Sequence, residues 1–229
     1  FARRASDRDA SLDAPCMAGD FYGLPLARSK EPAPPPVPTS LVMEFPQRLL
    51  GKRVAIFVDY AFEDLEVTFP KLRLEEEGAE VLVVGAHPAG TKYTGKYGYP
   101  VKSHVAIDDL DVAALDGLVL PGGFAPDYMR RSAGMLRAVV ACVEAGKCVA
   151  AICHGPWMFC SARHSATGDP VAKGRRCTAF AAIKDDVVNA GATFVDAAVV
   201  VDGPLVSSRT PADLVDFCHA IIAHVASRP

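Results

Sequence analysis

No apolar run in this 229-residue chain approaches the roughly 18–20 residues that a bilayer-crossing helix needs. Membrane insertion is therefore not expected. Cationic excess is lacking too: the net charge is −3, which gives no electrostatic reason to expect nucleic acid or an anionic membrane as a partner. The seven cysteines, Cys16, Cys142, Cys148, Cys153, Cys160, Cys177 and Cys218, are odd in number and contain no C-x-x-C. That argues against a disulfide framework or zinc knuckle and for a reducing compartment. The six histidines form no H-x-x-x-H pair, so no metal site is indicated. A phosphate loop of the G-x-x-x-x-G-K-[ST] type is also missing.

What remains is an ordinary globular composition, half apolar and about a fifth charged. Residues 1–50 read as a Pro-rich N-terminal extension, and 51–229 as one domain. Glu31-Pro32-Ala33-Pro34-Pro35-Pro36-Val37-Pro38 favours polyproline II and cannot enter a helix or central strand. Two readings stand for it: a solvated linker, or an arm that wraps a partner protein or sister subunit. The chain begins at Phe1 without methionine, which suggests processing or an incomplete start. Phe1–Ser6 resembles the stub of a presequence, but Asp7, Asp9, Asp13 and Asp20 argue against an intact transit peptide. Expected locations are the cytoplasm or, after presequence removal, an organelle.

From Arg53 the pattern becomes regular. Val54–Val58 and Val81–Gly85 are near-continuous apolar runs, typical of strands covered on both faces. Between them Leu65, Phe69 and Leu72 recur at helical spacing and predict the buried stripe of a helix. Residues 91–100 predict a small hairpin. Leu118–Leu120 predicts a strand stopped by Pro121-Gly122-Gly123, and Leu136, Val139, Val140 and Val143 stripe the next helix. Val199–Val201 and Val206–Ser208 predict a hairpin about Asp202-Gly203, followed by a helix burying Leu214, Phe217, Cys218, Ile221 and Ile222. Strands alternating with helices mean a mostly parallel sheet, whose ligand site lies beyond the carboxyl ends of the strands. Three segments end there: Asp59–Glu63, Pro121–Asp127 and Cys153-His154.

The last of these carries the strongest chemical signal. In Cys148–Trp157 a short apolar run stops at Cys153, then His154, then Gly155-Pro156. This reads as strand, sharp turn and helix, with Cys153 on a nucleophile elbow. A helix N-terminus directly after the sulfur would favour the reactive thiolate, and His154 is a candidate base. The bland alternative is a cysteine that is merely a small buried hydrophobe.

Ala151–Pro156 resembles the elbow of the ThiJ/PfpI superfamily, in particular its PfpI-type branch. Phe62–Glu66 resembles that family's acidic motif, and Leu120–Asp127 its Gly-Gly loop. Ile183–Asp186, Asn189–Gly191, Val201–Gly203 and Ser207–Leu214 resemble its C-terminal half. The resemblance covers roughly residues 52–226 and implies an α/β, flavodoxin-like three-layer sandwich. It implies Cys153 as nucleophile, His154 as base, and Glu63 as the carboxyl set against the sulfur. Asp127 would orient His154 across a subunit interface, so a homo-oligomer is implied; many relatives have Glu there, one methylene longer. Gly122, Gly123 and the His154 N–H are implied for the oxyanion hole. Phe180 stands where many relatives place Tyr, and Arg163–Gly174 is longer than usual. Asp64 and Glu66 read as structural or exposed, and Trp157 as packing.

The resemblance implies a cofactor-independent cysteine enzyme acting on reactive carbonyls, a glutathione-independent glyoxalase or protein deglycase. Its substrate would be a small carbonyl compound or a glycated protein. Two alternatives are an intracellular cysteine peptidase and a redox-sensing, chaperone-like or assembly subunit with vestigial activity. A class I glutamine amidotransferase needs a downstream His-x-Glu, which the sequence does not supply.

Overall fold

The computed structural model describes residues 47–228. Of the extension expected over residues 1–50, all but 47–50 lies outside them. In chain order the elements are β1 (Arg53–Val58), α1 (Asp64–Glu76), β2 (Glu80–Gly85), β3 (Lys92–Thr94), β4 (Pro100–Lys102), β5 (Val105–Ala106), β6 (Gly117–Leu120), α2 (Ala125–Met129), α3 (Ala133–Glu144) and β7 (Cys148–Ile152). There follow α4 (Trp157–Ser161), β8 (Arg176–Cys177), α5 (Lys184–Asn189), β9 (Thr193–Phe194), β10 (Val199–Asp202), β11 (Leu205–Ser208) and α6 (Leu214–Ala226).

The main sheet runs β10-β11-β7-β6-β1-β2-β5. All its pairs are parallel except the β10–β11 hairpin. Its central strands are apolar throughout because helices cover both faces: every residue of β6 and β7 is buried, and β1 is buried from Val54 onward. Helices α1 and α6 pack together on the sheet, and α3 packs on β6 and β7 and against α4. This is the expected three-layer α/β arrangement with a mostly parallel sheet. Strands β3 and β4 form the expected excursion hairpin. Ahead of β1, Leu49 is fully buried in the core and Arg48 pairs with Glu77.

Two expectations need correction. Helix α1 exists where its spacing placed it, but its face is different. Leu65 and Leu72 are exposed, whereas Glu66, Val67, Pro70 and Leu74 are buried. The packed face is turned so that acidic residues of the first turn point toward the carboxyl ends of the strands. Second, the helix expected directly after Cys153 begins only at Trp157 and is 5 residues long. Its dipole is short and displaced from the sulfur, and such effects fade within a turn.

Because β1, β6 and β7 are adjacent, their carboxyl ends bring the three predicted segments side by side. Glu63, Phe124 and Cys153 line one cavity there.

Candidate active site

Beyond Ile152 the chain turns through Cys153 at φ +61°. A non-glycine residue enters that left-handed region at a cost of about 1–2 kcal/mol. Neighbouring backbone holds it there. The Cys153 N–H donates to the Ser208 carbonyl (3.1 Å), and the Cys153 carbonyl accepts from the Phe180 N–H (2.9 Å). A Cβ on Gly155 would collide with the Leu120 carbonyl, so the turn closes only with glycine. The result is a sharp strand-end elbow whose residue opens onto a cavity of about 290 Å³.

His154 Nδ1 lies 3.3 Å from Cys153 Sγ. Its ring is held between Trp157, edge-on at 5.1 Å between centroids, and Phe180 at 5.0 Å. Burial lowers the His154 pKa, and the positive charge of Lys96 lowers it further. A neutral imidazole can accept a proton from the thiol, provided the tautomer leaves Nδ1 bare.

The acid beside the sulfur is Glu66, not Glu63. Glu66 is fully buried, and its Oε2 accepts the Gly122 N–H at 2.6 Å. Its Oε1 has no conventional hydrogen bond, and the Cys153 thiol is the side chain against the carboxyl. Burial raises the Glu66 carboxyl to about 7; the Gly122 N–H opposes the rise and the charge of Glu63 adds to it. Glu63 caps α1 instead, its Oε2 accepting the Glu66 N–H at 2.9 Å, while still lining the cavity.

The expected low-pKa thiolate is also corrected. The Cys153 thiol is pushed up to about 12, first by burial and then by the charge of Glu66, against the pull of the Gly123 and His154 N–H groups. Thiolate and carboxylate repel one another in this dry corner, so the pair keeps at least one proton near neutrality.

Gly123 and His154 direct backbone N–H groups at the sulfur, where they favour the thiolate. Gly122 does not, because its N–H is taken up by Glu66. Its missing side chain matters for a different reason. A Cβ there would lie 2.8 Å from Cys153 Cβ and 2.8 Å from Glu66 Oε2, so only glycine lets carboxyl and elbow meet. Asp127 does not join the cavity of its own chain; it lies on α2 and pairs with Arg131. Phe180 does line the cavity, whereas Arg163–Gly174 contributes nothing to its lining.

Sequence reasoning missed Glu66, Lys96, Thr210 and Pro211 as cavity or sulfur neighbours, and assigned Trp157 to packing alone. For Glu66 a signal existed: it stands one helical turn after Glu63, so both face one end of α1. Lys96 had no such signal. Buried Asp64 accepts the N–H groups of Tyr97 (3.0 Å) and Tyr99 (2.8 Å), and this long-range clasp brings the β3–β4 turn to the cavity rim.

Fold and site together define an α/β protein with an elbow cysteine, and residues 52–224 match the DJ-1/PfpI family. The chain belongs to that family. It is 46% identical over 162 residues to "Deglycase TK1284" of Thermococcus kodakarensis, covering 71% of this chain and 92% of that one. YraA of Bacillus subtilis, whose name offers cysteine protease as a provisional activity, is 40% identical over 168 residues, 73% of this chain and 95% of that one. Among solved structures, a two-domain Anabaena variabilis protein with DJ-1/ThiJ/PfpI-like and ferritin-like domains superposes with a TM-score of 0.71 at 39% identity. That match covers 78% of this chain and half, 50%, of the other. No helix among the described residues is long and apolar enough to cross a membrane.

Proposed function

We propose that the protein is a cofactor-independent enzyme acting on small reactive carbonyls and their protein adducts, as a glyoxalase or deglycase. One observation carries the reading: a strained Cys153 opens onto a cavity of about 290 Å³ with a neutral base 3.3 Å from its sulfur and a protonatable, half-bonded carboxyl beside it. That volume sits at the bottom of the ~300–1,000 Å³ range of ligand pockets, which suits a small α-oxoaldehyde.

The chemistry runs without an external oxidant. His154 Nδ1 takes the thiol proton while protonated Glu66 donates a hydrogen bond to the sulfur. The thiolate attacks the aldehyde carbon of methylglyoxal. The developing alkoxide meets the N–H groups of Gly123 and His154, then takes the proton back from His154 to give a hemithioacetal. His154 next removes the C–H proton of that carbon, forming an enediolate, and the proton returns to the neighbouring carbon. The product is a thioester, which water hydrolyses to lactate and free thiol. The sum is methylglyoxal plus water to lactate. Neutral His154 and protonated Glu66 coexist only between the lowered His154 pKa and about 7.

Asp127 enters as a residue lent to a neighbouring copy. Exposed Phe124, at 66%, and Tyr128, at 41%, flank it and support a self-association surface. The deglycase name of the Thermococcus relative supports the carbonyl reading, and the name of the Bacillus relative supports a peptidase. The size of the cavity favours the former.

The test is methylglyoxal consumption without glutathione, with lactate detected, for wild type and Cys153→Ser. Lactate from the wild type, and a fall to background in the variant, is expected. An inactive wild type with Cys153 shown to be reduced would sink the proposal and bring the peptidase forward.

A further inference from the structure

Free methylglyoxal leaves much of this end of the molecule without a role. Beside the catalytic cavity lies a second, larger one of about 630 Å³. Phe180 and Thr210 line both, so the two cavities are adjacent, with those side chains at their common border. The second cavity is completed by Lys184, Phe194, Asp196 and Arg209, among others. Its charged groups are not equivalent. Arg209 is engaged by Asp213, at 3.0 and 3.2 Å, and by Asp196, at 2.7 Å. Lys184 makes no ion pair among the described residues; its ammonium sits 5.4 Å from the Phe194 ring centroid. The Thr210 hydroxyl carries no hydrogen bond among the described residues either, and its backbone is extended at φ −154°, ψ 166°.

A carbonyl adduct on a lysine or arginine side chain presents the reacting carbon at the end of a long stem. When that carbon reaches Cys153, the peptide bearing it must lie outside the first cavity. The adjacent second cavity is where it can go, past Phe180 and Thr210, with an apolar face at Phe180 and Phe194, the Thr210 hydroxyl and the Lys184 ammonium. We propose that this cavity is a peptide subsite, and that Lys184 selects glycated peptides with an acidic residue next to the modified one. The proposal rests on the carbonyl reading above and narrows it to a substrate class.

Binding tests the subsite apart from turnover. Two synthetic hexapeptides carry one Nε-acetyl-lysine as an unreactive stand-in for the adduct, one flanked by aspartates and the other by lysines. Affinity is read by calorimetry and by the fluorescence of Trp157, the single tryptophan, which lines the catalytic cavity. The full chain is expected to bind the acidic peptide about fivefold more tightly, the upper end for one exposed ion pair. Lys184→Ala should shrink that preference to about twofold or less, and Lys184→Glu should reverse it. Lys184 is exposed, so neither change threatens the fold. The proposal is overturned if Lys184→Glu keeps the wild-type preference, or if the wild type binds neither peptide. Methylglyoxal turnover by the same proteins should be unchanged; a parallel loss in Lys184→Glu would place Lys184 in the first cavity's chemistry and overturn the subsite. A wild type that discriminates between the peptides but does not consume methylglyoxal sinks the carbonyl reading and leaves the subsite standing.

Discussion

The elbow and the first turn of α1 meet at one sulfur but are built differently. At the elbow the backbone is strained and the side chain is simple: Cys153 sits at φ +61°, pinned by Ser208, Phe180 and Gly155. At α1 the backbone is ordinary and the side chains bear the penalty. Glu63 is 3% exposed, Asp64 9% and Glu66 0%, three acids in one turn taken from water. Each has its own role there. Glu63 caps the helix, Asp64 clasps the β3–β4 turn, and Glu66 faces the thiol. The elbow fixes where the sulfur is, and the acidic turn, a store for one proton at Glu66, fixes how many protons surround it.

The sharpest way to break this division is to remove the proton store and leave the elbow intact. Glu66→Gln keeps the shape and an oxygen for the Gly122 N–H, but replaces the carboxylic acid O–H that faces the sulfur with a weaker amide donor. We expect kcat for methylglyoxal to fall by roughly 10–10²-fold, the worth of one hydrogen bond to a charged group. Glu63→Gln should fall only a few-fold, since its distinct duty is the helix cap. If the two ranked the other way in steady-state kinetics, Glu63 would be the partner of the sulfur after all.

The second expectation concerns stability. Glu66 is raised from 4.5 to about 7 in the folded protein. Below pH 4.5 it is protonated folded and unfolded, so it favours neither state. Between 4.5 and about 7 the unfolded chain loses the proton first, so stability falls with rising pH and levels off above 7. A shift of that size corresponds to something on the order of 3 kcal/mol. Urea unfolding of wild type and Glu66→Gln between pH 4.5 and 8 isolates it: the stability difference should change with pH in favour of the variant. A difference that stays flat across that range would mean that Glu66 is not held protonated by its burial.

The same contrast explains what could be read in advance. The elbow was legible because backbone strain is written locally, as an apolar run stopped by Cys153-His154-Gly155-Pro156. The parallel sheet was legible because strands covered on both faces are apolar at every position. Helix α1 was legible as a helix, but not in its orientation. Leu65, Phe69 and Leu72 outweigh Glu66 on any hydrophobicity count, and burial of a carboxylate is what such a count penalises. That rotation hid Glu66, and with it the part of the thiol's raised pKa that adds to the larger effect of burial. The bond from Gly122 to Glu66 was hidden for the same reason. Lys96 and Thr210 reach the cavity through long-range contacts that leave no local pattern. Strand β5, only two residues at the sheet edge, was too short to register.

The smallest expected effect separates Glu63's two influences. As a cap, its Oε2 satisfies the Glu66 N–H, so Glu63→Ala should cost about 1 kcal/mol in urea unfolding. As a charge, Glu63 helps to hold the Glu66 carboxyl up, though less than burial does. Glu63→Gln keeps an oxygen for the cap and removes the charge. The Glu66 pKa should then move down, and the alkaline limb of the kcat profile, where Glu66 ionises, should move acidward with it. Glu63→Ala should show both effects and Glu63→Gln only the second. An alkaline limb that ignores both substitutions would show that the proton lost there does not come from Glu66, and the acidic turn would then be a structural feature beside the elbow rather than its proton store.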